Sequence, residues 1–165
     1  MKRRLFLIRH SYAEDPGTVS DFERHLTLKG QSTARALGRH LLSLNEAFEP
    51  DKIFCSPARR TAQTAQNIVE ELKISENSIQ FKDQIYNASV RELLSLIHSL
   101  DGSERNIAII GHNPAISYLG EHLTNEGTGG MEPCSMVTIG LEDIKWKEVS
   151  KGDGTFVSYF HPNIL

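Results

Sequence analysis

Leu5-Phe6-Leu7-Ile8-Arg9-His10-Ser11 decides how the rest of the chain is read, because four successive apolar residues stop abruptly on an arginine, a histidine and a hydroxyl. A run this short and apolar throughout predicts a strand buried on both faces. The residues just past its end are then presented at the edge of a sheet.

Two later segments repeat the design. Asp51-Lys52-Ile53-Phe54-Cys55 leads into Ser56-Pro57-Ala58-Arg59-Arg60-Thr61, and Asn106-Ile107-Ala108-Ile109-Ile110 leads into Gly111-His112-Asn113-Pro114. In both, a proline at an expected first helical position is followed by apolar residues at helical spacing. Strands that alternate with helices imply crossover connections and parallel neighbours. The expected fold is therefore α/β, a three-layer arrangement with a mostly parallel central sheet and helices on both faces. Ligands of such sheets bind outside the carboxyl ends of the strands, which gathers Arg9, His10, Arg60 and His112 around one cleft.

The remaining elements follow in order. Tyr12 to Thr18 is polar and turn-rich, a loop over the cleft edge. Thr27 is the expected N-cap of a first helix over 28–44, with Ala34, Leu37 and Leu41 on its buried face. A second helix starts near Pro57 and buries Thr61, Ala65, Ile68 and Leu72. A weak strand is expected at 79–81, then a loop at 85–88 able to reach the cleft. Ser89 caps a third helix carrying Val90, Leu93, Ile97 and Leu100, and a fourth after Pro114 carries Ile116, Leu119 and Leu123. Gly127 to Gly130 reads as a flexible loop without a nucleotide-binding fingerprint. A strand at 136–141, a hairpin turn at 151–154 and a last strand at 155–160 complete one domain over residues 1–165.

The chain has 165 residues, 39% of them apolar and 24% charged, with a formal charge of −3. This balance argues against a general nucleic-acid binder. No run approaches a membrane span, and Arg9-His10 interrupts the N-terminal apolar stretch too early for a signal peptide, so a cytoplasmic protein is expected. Cys55 and Cys134 make neither a disulfide framework nor a metal-ligand pair.

Two histidines and two arginines without carboxylate partners make a poor metal site and a good phosphate site, because a guanidinium fork matches phosphoryl oxygens. His10 is positioned as a nucleophile that forms a covalent phosphohistidine, while Arg9, Arg60 and His112 hold the other phosphoryl oxygens. Two other readings stand beside this one. Cys55 ahead of Arg60 loosely resembles a cysteine phosphatase loop, and an intact pocket without turnover would be a phospho-ligand binding module.

Arg9-His10-Ser11, Ser56 to Thr64 and Gly111-His112-Asn113-Pro114 together resemble the three motifs of the histidine phosphatase superfamily, also called phosphoglycerate mutase-like. Asp21 to Gly30, Trp146 and His161-Pro162 are similar to its small phosphohistidine phosphatase branch. The resemblance implies a phosphatase that needs no metal or cofactor, with His10, Arg9, Arg60 and His112 catalytic. It implies phosphate contacts from Arg9, His10, Ser11, Arg60, His112 and Asn113, the backbone N–H of Ser11 facing the phosphate. Ser11 stands where the family usually has glycine. The acid that many members use to protonate a leaving alcohol is absent from its expected place, where Asn87 stands; Glu14, Asp15 and Glu92 are the substitutes to test. An alkoxide leaves poorly without an acid, whereas imidazole leaves readily, so the substrate expected is a protein phosphohistidine. A small phosphorylated metabolite is the alternative.

Overall fold

The computed structural model describes residues 1–17, 19–44 and 48–162. Thr18, the end of the expected cleft-edge loop, and the last three residues of the expected domain lie outside them. Ten main elements follow one another: β1 (Lys2–Arg9), α1 (Leu28–Ser43), β2 (Lys52–Cys55), α2 (Arg59–Leu72), β3 (Ile79–Phe81), α3 (Val90–His98), β4 (Asn106–Gly111), α4 (Ala115–Thr124), β5 (Met136–Glu142) and β6 (Thr155–Phe160). The six strands form one sheet in the order β3-β2-β4-β1-β5-β6. The pairs β3–β2, β2–β4 and β4–β1 are parallel, and β5 and β6 join antiparallel.

The alternation of side chains along β1 separates two cores. Leu5 and Leu7 point to the face covered by α3 and α4, where Leu93, Ile97, Ile116 and Leu119 pack. Phe6 and Ile8 point to the opposite face, against Ala34, Leu37 and Leu41 of α1 and Ala65 and Ile68 of α2. All four β1 residues are buried, as a strand with both faces covered requires. The helices that follow β1 and β4 therefore leave on opposite faces although the two strands are hydrogen-bonded neighbours. That divergence opens a crevice at their carboxyl ends.

Helix starts follow the expected chemistry in two cases. Thr27 accepts from Gly30 N, and Ser89 forms a reciprocal capping box with Glu92. α2 begins at Arg59, two residues later than expected, because Ser56 to Ala58 make a bend in which Ser56 Oγ accepts the Ala58 N–H. The turn at 151–154 does not close a tight hairpin. Residues 143–154 connect β5 to β6, and the turn docks on the end of α4 through Gly152 N to His122 O and Gly154 N to Leu123 O.

Candidate active site

Three strand ends meet in a cavity of about 330 Å³ lined by Arg9, His10, Ser11, Tyr12, Ala13, Arg24, Arg60, His112, Asn113 and Pro133. Arg9, His10, Arg60 and His112 are thus brought together as the sequence predicts. The imidazoles of His10 and His112 lie 5.4 Å apart, centre to centre.

His10 is held by its own neighbour. Its Nδ1 lies 2.7 Å from the carbonyl oxygen of Ser11. A carbonyl only accepts, so Nδ1 carries the proton and Nε2 keeps its lone pair. Burial is the main force lowering the His10 pKa, to about 4, and nearby arginines add to it. His112 is lowered to about 3, again first by burial and then by Arg60. Both rings are neutral at pH 7, and a neutral Nε2 beside fixed cations is a nucleophile in waiting.

Each arginine is tied by its outer nitrogens to the protein. Arg9 Nη1 donates to Met131 O at 2.7 Å. Arg60, 5% exposed, donates to the backbone oxygen and to Oδ2 of Asp21. The Nε–H groups of Arg9 and Arg60 are buried with no partner among the described residues. Arg59 instead pairs with Glu23 on the surface, while Arg60 is the one of the two that lines the cavity.

Asp21 is the feature that sequence reasoning missed. It binds Arg60, Arg24 and the Tyr86 hydroxyl at once. The Tyr86 hydrogen bond is the first cause holding its carboxyl down to about 2. Tyr86 in turn packs edge-on against both His112 and Phe22. The Asp21/Arg24 spacing of three residues, which makes neighbours in a helical turn, was the available signal. Its partner Tyr86 lies too far along the chain for any local pattern.

Ser11 and Asn113 both line the cavity, and their polar groups also hold neighbouring elements in place. The Ser11 N–H donates to Thr64 Oγ1 at 2.9 Å and its hydroxyl to Gly30 O at 2.7 Å, both buried. The backbone N–H therefore faces α2 rather than a phosphate, and the side chain fastens α1 to the end of β1. The Asn113 amide donates to Met131 O and accepts from Ser117 Oγ, which pins the start of α4. Its side chain is a fastener at the cavity wall.

Cys55 is not a nucleophile. It is fully buried, its Sγ faces the Ser56 carbonyl, and burial pushes its pKa up. The candidate acids are also engaged elsewhere or away from the cavity. Glu14 accepts the His25 N–H, Glu92 caps α3, and neither they nor Asp15 line the cavity. Among the described residues no cluster of three His, Cys, Asp or Glu could hold a metal ion.

A sequence model of the histidine phosphatase superfamily (branch 1) matches residues 5–92, more than half of the chain. The chain belongs to the histidine phosphatase superfamily. The matched span of this histidine phosphatase contains the first two motifs and the Asp21 hub.

Solved structures agree in fold. The protein histidine phosphatase SixA complexed with tungstate superposes with a TM-score of 0.83 at 22% identity, covering 98% of this chain and 99% of that one. The protein from Nakamurella multipartitia assigned as phosphohistidine phosphatase SixA gives 0.80 at 23% identity, covering 98% and 97%. A mycobacterial glucosyl-3-phosphoglycerate phosphatase gives 0.66 at 14%, covering 94% and 97%. No curated protein matches the chain.

Proposed function

We propose that this histidine phosphatase hydrolyses protein phosphohistidine through a covalent phosphoryl group on His10. The observation that carries the reading is the single free nitrogen of His10, Nε2, on a neutral ring whose other nitrogen is bonded to the Ser11 carbonyl. In the first step Nε2 attacks phosphorus and the substrate N–P bond breaks. A substrate imidazole protonated on its second nitrogen departs neutral, so no acid from the enzyme is needed. Water then attacks phospho-His10, the second N–P bond breaks, His10 leaves as a neutral imidazole, and the proton from water goes to the phosphate product.

Arg9, Arg60 and Arg24 line the cavity and face this group with positive charge, which stabilises the equatorial oxygens as charge shifts. The absence of Glu14, Asp15 and Glu92 from the cavity lining supports an N–P substrate over an alkyl phosphate. The short connection between β3 and α3, residues 82–89, supports a macromolecular one. It carries one 3-10 turn, Asp83–Ile85, and no further helix or strand. No helix among those residues is long and apolar enough to cross a membrane. Two free buried thiols, Cys55 and Cys134, fit a reducing compartment, and the reading includes a cytoplasmic place of action.

The test compares a phosphohistidine protein, a phosphoserine peptide and an activated aryl phosphate, each with the parent and with His10→Ala. The expected result is preference for phosphohistidine and its loss in the variant, with 32P label trapped on the parent alone. Efficient turnover of the phosphoserine peptide would overturn the substrate assignment.

A further inference from the structure

The hydroxyl of Ser56 takes no part in the steps above, yet it is fully buried and aimed at the site. Its Oγ lies 2.8 Å from His112 Nε2 and accepts the Ala58 N–H at 3.3 Å. A hydroxyl has one hydrogen and two lone pairs. A proton on His112 Nε2 would use the second lone pair and leave the buried Ser56 O–H with no acceptor among the described residues. In the reverse arrangement the hydroxyl donates to a bare Nε2, which satisfies both of these atoms and leaves only the other ring nitrogen to find a partner. A neutral imidazole with a bare Nε2 carries its proton on Nδ1. His112 Nδ1 is buried with no partner among the described residues, on a ring that lines the cavity beside His10.

We propose that Ser56 is a positioning residue that fixes His112 as the Nδ1–H tautomer, so that the ring donates to a phosphoryl oxygen. The inference rests on the reading of the cavity as a phosphoryl pocket. A dianionic phosphoryl group attracts an N–H and repels a lone pair, so the tautomer decides the sign of the contact. The burial that lowers the pKa of His112 keeps the ring neutral, and a neutral ring has a tautomer to choose. Ser56 therefore acts on the reaction through His112 and touches no substrate.

The test is a long-range 1H–15N correlation spectrum of the substrate-free parent, Ser56→Ala and Ser56→Thr at neutral pH. In the parent the expected His112 signals are a protonated Nδ1 and an unprotonated Nε2. Ser56→Ala loses that preference and its kcat falls about tenfold, the lower end of what removing the orienting partner of a functional imidazole costs at metal sites. Ser56→Thr retains the hydroxyl, the tautomer and the rate. A protonated Nε2 in the parent, or an unchanged tautomer in Ser56→Ala, would overturn the proposal; the parent spectrum decides by itself if the alanine variant does not fold. A parent with the expected tautomer that turns over no phosphorylated substrate would support the role of Ser56 and overturn the proposed function.

Discussion

His10 and His112 titrate as a pair of buried bases, and that has a measurable sign. Both folded pKa values lie below the ordinary 6.5, at about 4 and about 3. The unfolded chain therefore binds protons at these positions before the folded one does. Stability from this source is fully present above about pH 6.5 and is lost as pH falls toward 4. Asp21 adds little in that window, because the unfolded chain's carboxylate begins to take up protons only near its ordinary 3.8, and the stability from its lowered folded value of about 2 is lost below that. The urea midpoint is expected to be lower at pH 4.5 than at pH 7, and His10→Asn is expected to shrink the difference; an equal drop in the variant would remove His10 as its cause. The same two residues were legible from the sequence because each follows an apolar strand. Asp21 and Tyr86 were not, since their meeting depends on a 3-10 turn and a loop 65 positions apart closing over one arginine.

The elements nearest the site are coupled by backbone. Ser11 joins β1 to α1 through Gly30 O and to α2 through Thr64 Oγ1. Gly30 lies so close to Tyr12 that an added Cβ would overlap the Tyr12 carbonyl. Backbone cannot move aside as a flexible side chain would, so Gly30→Ala is expected to push α1 from the end of β1. Its mark is a loss of thermal stability together with a slower rate, read by calorimetry and turnover of an activated aryl phosphate. An unchanged rate would show that the loop after His10 absorbs the shift. Strands and helices were legible here because apolar runs ended on prolines, caps and polar clusters, as at Ser89 and Thr27. The β5–β6 connection misled because Lys151-Gly152-Asp153-Gly154 has the composition of a hairpin turn, yet its N–H groups find the carbonyls of α4. Ser11 misled for a similar reason, since only tertiary contact reveals where a backbone N–H is spent.

At the scale of the whole molecule, chemistry and support sit at opposite ends of the sheet. The parallel strands end at the cavity, and around their starts Trp146 is fully buried with Nε1 donating to the Glu104 carbonyl at 2.8 Å. Glu104 itself is buried and paired with Lys52 at the head of β2. Trp146→Phe keeps an aromatic ring but removes the donor and part of the buried indole, so the unpaired carbonyl costs about 1–3 kcal/mol and the cavity left behind adds to it. The expected outcome is a lower Tm with an unchanged kcat, and a matching fall in kcat would show that the two ends are coupled.

The Met131 carbonyl, which receives both Arg9 and Asn113, comes directly after Gly129 and Gly130, whose φ values are +70° and +86°. Other residues hold such angles only under strain. Part of the specification of the first motif is therefore written some 120 positions downstream of it, in two residues that carry no functional group. Replacing that glycine pair leaves every residue of the three motifs in place and is still expected to shift the carbonyl that holds Arg9, so an arginine can be misaimed by a change that touches no side chain around it.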